Sequence, residues 1–321
     1  MIFAKRVSIC AAGWIAMAIG AGAAFGQDAD SDPIWVAALE RAEAGSAIAQ
    51  CELGELIVRG PQAHRGLATA IEWFSAAAEQ DAVCGQLRLG EFYRRGGQGV
   101  QKDIGQSDAN YAAALPKVLG LAREGDLSMQ IQLAKMHHKA LGTKEDLELA
   151  GFWYRTAAGL LEPLVKAGDL DAGKKLGNIL VIGIGVDRDV VRAGELYEAA
   201  AEAGDRAGQY LAGLMWFTGR AKHPVDHARG FKWLFLAAEA DHPRSQYYVG
   251  TAYADGLGVE PDAVEAAMWL TLARDRGINA SKSALKDLAE NASEARIQEG
   301  VEKAAIWMPV FEREDTSTPS S

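Results

Sequence analysis

The chain has 321 residues, 49% of them hydrophobic and only 9 of them proline, which excludes a disordered chain and allows one or two domains or one long repeat array. Its 43 acidic and 33 basic residues give a net charge of −10, or −12 once Lys5 and Arg6 leave with a leader. That balance excludes a nucleic-acid groove, which needs a basic stripe to displace phosphate counterions, and disfavours adhesion to an anionic membrane.

Residues 2–26 carry Lys5-Arg6, an apolar run from Val7 to Phe25 and a small-x-small end at Ala24-Phe25-Gly26. Basic start, apolar middle and small end are the pattern of a secretory signal covering 1–26, and an uncleaved membrane anchor is the alternative. Cys10 sits too early in the run for lipid attachment, so cleavage leaves Cys51 and Cys84. An exported chain is expected in a periplasm or secreted, where a disulfide persists. Residues 27–40 form a lead-in whose Ile34-Trp35-Val36-Ala37 begins a helix.

From residue 41 to 290 one unit recurs six times. Its ruler, in the middle of a first helix, is Gly54, Gly90, Ala134, Gly177, Gly213 and Gly250. Six residues on stand Gly60, Gly96, Ala140, Gly183, Gly219 and Gly256, at a helix end where a left-handed residue suits glycine. Next come Gly66, Asp103, Asp146, Asp189, Asp226 and Asp262, and the five aspartates are expected to cap the second helix. Seven residues beyond are Trp73, Asn110, Trp153, Leu196, Trp233 and Trp269. Second helices such as Ala193, Leu196, Tyr197, Ala200 and Ala201 carry a broad apolar stripe that one hairpin cannot bury alone, so the hairpins must stack. The 3.6-residue period and the preponderance of Ala and Leu exclude a β reading.

Two copies, spanning roughly 103–168, are enlarged by seven residues near Leu115-Pro116-Lys117 and Leu161-Glu162-Pro163. Seven residues are about two helical turns, and each insert's proline predicts a kinked or broken second helix. The third copy has Ala134 and Ala140 where the others have glycine, which predicts a different turn there. Residues 291–309 read as a C-terminal cap helix that closes the apolar end of the stack, and 310–321 as a disordered polar tail.

The unit, spelled here as Gly-Asp…Gln…Leu-Gly…Gly-x-Gly-Val…Asp…Trp/Tyr…Ala-Ala, resembles the Sel1-like repeat family, a relative of tetratricopeptide repeats. The best-kept turns are Gly99-Val100 with Asp103, Gly185-Val186 with Asp189 and Gly258-Val259 with Asp262. The resemblance implies an all-α, right-handed α-solenoid of an exported bacterial type. It also implies an adaptor's work: scaffolding envelope or signalling complexes, polysaccharide export, or regulation of a membrane sensor. Cysteine-rich members that act on β-lactams carry a disulfide in each repeat, which this chain lacks.

Cys51 and Cys84 fall on neighbouring first helices, one turn apart. They form either a disulfide that staples the N-terminal end or two buried thiols. His223 and His227 are four residues apart, but Pro224 and Asp226 place His223 in a turn, so no metal site is expected. No cofactor and no catalytic residue is expected either, since the nucleophile-elbow, zinc-protease and phosphate-loop patterns are missing. The candidate partner-binding face is the inner side of the first helices: Glu55, Glu91, Lys135, Lys174, Tyr210, Leu214, Phe217 and Tyr247. These residues either grip a protein partner or fill space between adjacent first helices. The expected function is a non-catalytic interaction scaffold in the cell envelope. The alternatives are a hydrolase acting on cell wall or β-lactams, and a purely structural envelope protein.

Overall fold

The computed structural model describes residues 33–59, 66–97, 100–219 and 223–310, so the expected signal and most of the tail lie outside the described residues. Among the described residues there are fifteen α-helices and no strand: an all-α repeat solenoid. A lead-in helix α1 (Pro33–Glu43) precedes six hairpins. The first two are α2 (Ala47–Arg59) with α3 (Gly66–Glu79), and α4 (Val83–Arg95) with α5 (Ile104–Arg123). The next two are α6 (Leu127–His138) with α7 (Leu147–Lys166), and α8 (Leu170–Ile182) with α9 (Val190–Glu202). The last two are α10 (Arg206–Thr218) with α11 (His227–Glu239), and α12 (Pro243–Asp255) with α13 (Ala263–Asp275). Helices α14 (Ala280–Asn291) and α15 (Glu294–Ala305) follow. The described residues divide into two compact units, those of 33–120 with Leu141–Lys144, and those of Leu121–Ala140 with 145–310.

Second helices start where an aspartate can take an orphan backbone N–H. Asp103 accepts from the N–H of Gln106 at 2.9 Å, Asp146 from Leu149 at 2.8 Å and Asp189 from Arg192 at 2.9 Å. Asp226 accepts from Arg229 at 2.9 Å and Asp262 from Val264 at 2.8 Å. First helices use the same device through Asp126, Asp169 and Asp205.

Five of the six hairpins close on their ruler glycine. A Cβ at Gly54 would sit 2.6 Å from the Phe74 ring, at Gly90 2.8 Å from Tyr111, and at Gly177 2.7 Å from Tyr197. At Gly213 and Gly250 it would meet Leu234 and Leu270, both at 2.7 Å. The large residue that seats on the glycine is therefore one position after the conspicuous tryptophan column. In the third hairpin Ala134 and Tyr154 occupy the corresponding positions, both fully buried. Hairpin packs on hairpin through small residues as well: a Cβ at Gly85 would be 2.5 Å from the Phe74 carbonyl, and one at Gly208 2.6 Å from Ala200. Buried glutamines tie the same seams. Gln50, Gln130 and Gln246 donate to the carbonyls of Ala42, Ala122 and Ala238 in the preceding helix.

The connecting turns of the fourth and sixth hairpins each hold two left-handed glycines, Gly183 and Gly185, and Gly256 and Gly258. The second of each pair lies against backbone of the previous hairpin: a Cβ at Gly185 would be 2.0 Å from the Gly151 carbonyl oxygen. The third hairpin keeps this turn. Ala140 has φ 50° and Gly142 φ 62°, contrary to the expectation of a different turn. The Gly142 contact forces the outcome, because a Cβ there would be 2.2 Å from the Ala112 nitrogen and so the backbone must pass where it does. Ala140 accepts the left-handed strain as the lesser cost.

The prolines do not break their helices; α5 runs through Pro116 and α7 through Pro163. Both prolines are exposed, as are Ala112 and Gly159 four residues earlier. The carbonyl that loses its donor therefore lies on the solvent side, where water replaces the bond. At the C-terminus α15 lies along α13, and a Cβ at Gly300 would be 2.4 Å from the Val264 carbonyl oxygen. Trp307 then stacks edge-on against buried Trp269 at 5.6 Å.

Two stability changes follow from this packing. Ala140→Gly relieves a left-handed alanine and should stabilise the chain by about 1 kcal/mol in urea unfolding. Gly213→Ala forces a methyl to within 2.9 Å of the Leu234 backbone nitrogen. Despite alanine's better helix propensity it should destabilise by about 1–3 kcal/mol.

Candidate functional site

The first helices present their polar side chains in rows that are already paired between hairpins. In the first unit Glu55 of α2 holds Arg88 of α4, which also bonds Glu91 at 2.7 Å, and Glu91 bonds Arg95 at 2.7 Å. The Arg88 guanidinium lies 6.0 and 5.8 Å from the Phe74 and Phe92 ring centres. Burial alone would lower the Arg88 pKa, but the hydrogen bonds and charges of Glu55 and Glu91 outweigh it and raise it. One turn earlier on the same two helices Cys51 and Cys84 form a disulfide, with Cα atoms 6.1 Å apart.

In the second unit Lys174 of α8 bonds Asp205, the cap of α10, at 2.8 Å, and lies 3.7 Å from Asp171. Burial would raise the Asp205 pKa, yet Lys174 and the N–H of Gly208 hold it below the usual range. Lys135 is half-buried on α6. Tyr210 packs on His242 with ring centres 4.4 Å apart, and Tyr247 on Tyr248 at 5.3 Å.

Leu214 and Phe217 do not belong to a partner-binding face as the spacing suggested: they are 6% and 7% exposed. Phe217 seats against Gly230 of α11, where a Cβ would be 2.6 Å from its backbone nitrogen. Of the eight expected face residues, then, the charged four and the two tyrosines remain partly accessible and the two aliphatic or phenyl side chains fill the hairpin interior. Among the described residues no three His, Cys, Asp or Glu side chains converge as metal ligands. His223 is buried in the fifth turn, edge-on to Trp216 at 4.3 Å and 3.1 Å from where a Gly194 Cβ would be. It stands three residues before the cap Asp226, where the fourth and sixth turns carry Val186 and Val259.

Sequence reasoning also missed His242. It caps α12 where other first helices use aspartate, and its Nδ1 accepts the Ser245 N–H at 3.2 Å, which requires that nitrogen to be unprotonated. Burial, then Arg206 and Arg244, holds its pKa down to about 4. The tyrosines Tyr111 and Tyr154 are pushed up to about 12, chiefly by burial. Each shift has a packing cause, and these groups are scattered across different hairpins.

The fold and these seams define an all-α hairpin-repeat protein. A Sel1 repeat family profile matches residues 47–81, 85–107, 127–160, 174–205, 206–242 and 243–278, more than half of the chain. The chain belongs to the Sel1 repeat family, whose members act in general as protein-interaction scaffolds. Among solved structures it is similar to a Sel1 repeat protein from Oxalobacter formigenes, with 26% identity, 78% of each chain covered and a TM-score of 0.39. It is also similar to a protective antigen of uropathogenic Escherichia coli with an SLR fold, at 19% identity over 89% of this chain and 82% of that one, TM-score 0.30. A Sel1 repeat protein from Klebsiella pneumoniae matches at 18% identity over 79% of this chain and 98% of that one, TM-score 0.32. No curated protein matches. No helix among the described residues is long and apolar enough to cross a membrane.

The His242 geometry sets a pH dependence. Between about pH 6.5 and about 4 the unfolded chain binds a proton here that the folded chain does not, so stability falls as pH falls through this window. The slope is up to about 1.4 kcal/mol per pH unit and levels off below the folded pKa. His242→Asn keeps a capping oxygen and removes the titration, so urea unfolding at stepped pH should show a shallower acid loss in that variant.

Proposed function

We propose that this protein is an exported, non-catalytic adaptor that holds a protein partner in the cell envelope, the partner being a membrane sensor's domain or a polysaccharide-export component. The observation that carries the reading is that each unit has a first-helix charge already paired across two hairpins, Glu55 with Arg88 in one and Lys174 with Asp205 in the other. Side chains fixed before a partner arrives cost little to order on binding, which suits a repeat scaffold. Export is supported by the signal-like residues 2–26 and by the Cys51–Cys84 bond, since disulfides persist outside the reducing cytoplasm. Exposed Phe152, Leu160 and Leu164 along α7 favour an interacting surface over a purely structural wall element.

Lysine-directed crosslinking in intact envelopes tests this. The expected result is one discrete protein adduct in the envelope fraction, with crosslinks mapping to Lys135, Lys174 or Lys175. Recovery of the chain in the cytoplasm with free thiols, or retention of cell-wall fragments and no protein, overturns the reading.

A further inference from the structure

Near the C-terminal end an open cavity of about 550 Å³ lies among α11, α12, α13, α15 and the turn that precedes α13. Its volume falls in the range of specific small-group sites. The walls are aromatic: Phe235, Tyr253, Trp269 and Trp307. Phe235 and Trp307 each stand edge-on to Trp269, at 5.8 and 5.6 Å between ring centres, so the wall is continuous. Carboxylates ring it, from Glu239, Glu260, Asp262 and Glu265.

The protein's own cations already use this chemistry. Lys303, reaching in from α15, places its ammonium on Glu265. Arg296 bonds Asp262 at 3.1 Å, and the Arg276 guanidinium lies 5.4 Å from the Trp307 ring centre. Tyr253 senses the same field: burial first, then Glu265, Asp262 and Glu239, raises its pKa. Glu260 is exposed at the mouth of the cavity.

We infer that this cavity is a docking site for a positively charged side chain, arginine or lysine, on an extended segment of a partner protein. Aromatic faces attract a cation through their quadrupoles, and the carboxylate rim adds direct ion pairing. Charge complementarity selects this occupant. A second copy of the chain brings a net charge of −10, and the chain's own end, Phe311–Ser321, carries Glu312, Glu314 and Asp315 against Arg313 alone. The inference deepens the adaptor reading by naming a partner chemistry, but it concerns a different surface from the first-helix rows and is tested on purified protein.

The test is calorimetric titration of the full purified chain with a blocked Gly-Ser-Arg-Arg-Ser-Gly peptide, with the Glu-Glu counterpart as control. The arginine peptide should bind saturably, with affinity falling as salt rises, and the glutamate peptide should not bind. Glu260→Lys, at an exposed position, should weaken binding roughly fivefold. Glu148→Lys makes the same change in net charge on α7 and should leave binding unaltered. Lys303→Met removes the internal competitor for Glu265 and should tighten binding, with circular dichroism confirming that α15 stays folded. No binding of the arginine peptide, or equal losses in the Glu260 and Glu148 variants, overturns the inference. Neither result bears on the crosslinking of the first-helix face, so the two readings fail separately.

Discussion

Everything in this chain rests on how closely two helices of one hairpin can approach. Glycine at Gly54, Gly90, Gly177, Gly213 and Gly250 removes the atom that would hold them apart, and a large buried side chain fills the vacated space. Dispersion contacts of that kind are individually small, but a ring pressed against bare backbone makes many of them at once. Because each seat lies within one hairpin, the chain can repeat it. The second helix then turns its remaining small residues, Ala77, Ala78, Ala200 and Ala201, to the next hairpin. Local closeness thus becomes serial stacking.

Polar groups are spent at the seams. Asp103, Asp146, Asp189, Asp226 and Asp262 satisfy helix starts, while buried Gln50, Gln130 and Gln246 satisfy carbonyls at the end of the preceding helix. The ion pairs spanning hairpins, Glu162 with Arg192 and Glu198 with Arg229, are partly exposed and contribute modestly each. On the first helices Glu55 is likewise committed to Arg88 in one unit, and Lys174 to Asp205 in the other.

Much of this was legible from spacing alone: the glycine column, the aspartate caps and the hairpin period all follow from residue types with a single conformational use. What was missed or misread has physical causes. Spacing did not say which side chain seats on the glycine; it is Phe74, Tyr111 or Tyr197, one position past the tryptophan column, because helix rotation is set by the packing of both helices and not by the largest residue. Pro116 and Pro163 were expected to kink or break their helices; neither breaks its helix, because the cost of proline depends on whether the stranded carbonyl faces water. Ala140 was expected to change its turn, but Gly142 pressed onto Ala112 fixes the path, and a distant contact outweighs a local preference. Leu214 and Phe217 share a helix with accessible residues, and a helical period does not say which side meets the partner helix. His223 and His242 were legible only as exceptions, the first standing where two other turns carry Val186 and Val259 and the second where three other first helices start at Asp126, Asp169 and Asp205.

A double-mutant cycle at the last seat tests the dependence on close approach most directly. Gly250→Ala, Leu270→Ala and the pair are compared by urea unfolding; Leu270 is fully buried and lies 2.7 Å from the position a Gly250 Cβ would take. Each single change should destabilise, one by crowding and the other by a cavity, and the pair should be less harmful than their sum by about 1 kcal/mol or more, as the new methyl enters the space the leucine left. Strictly additive losses would contradict the account, because they would mean that the glycine and the leucine do not share that space.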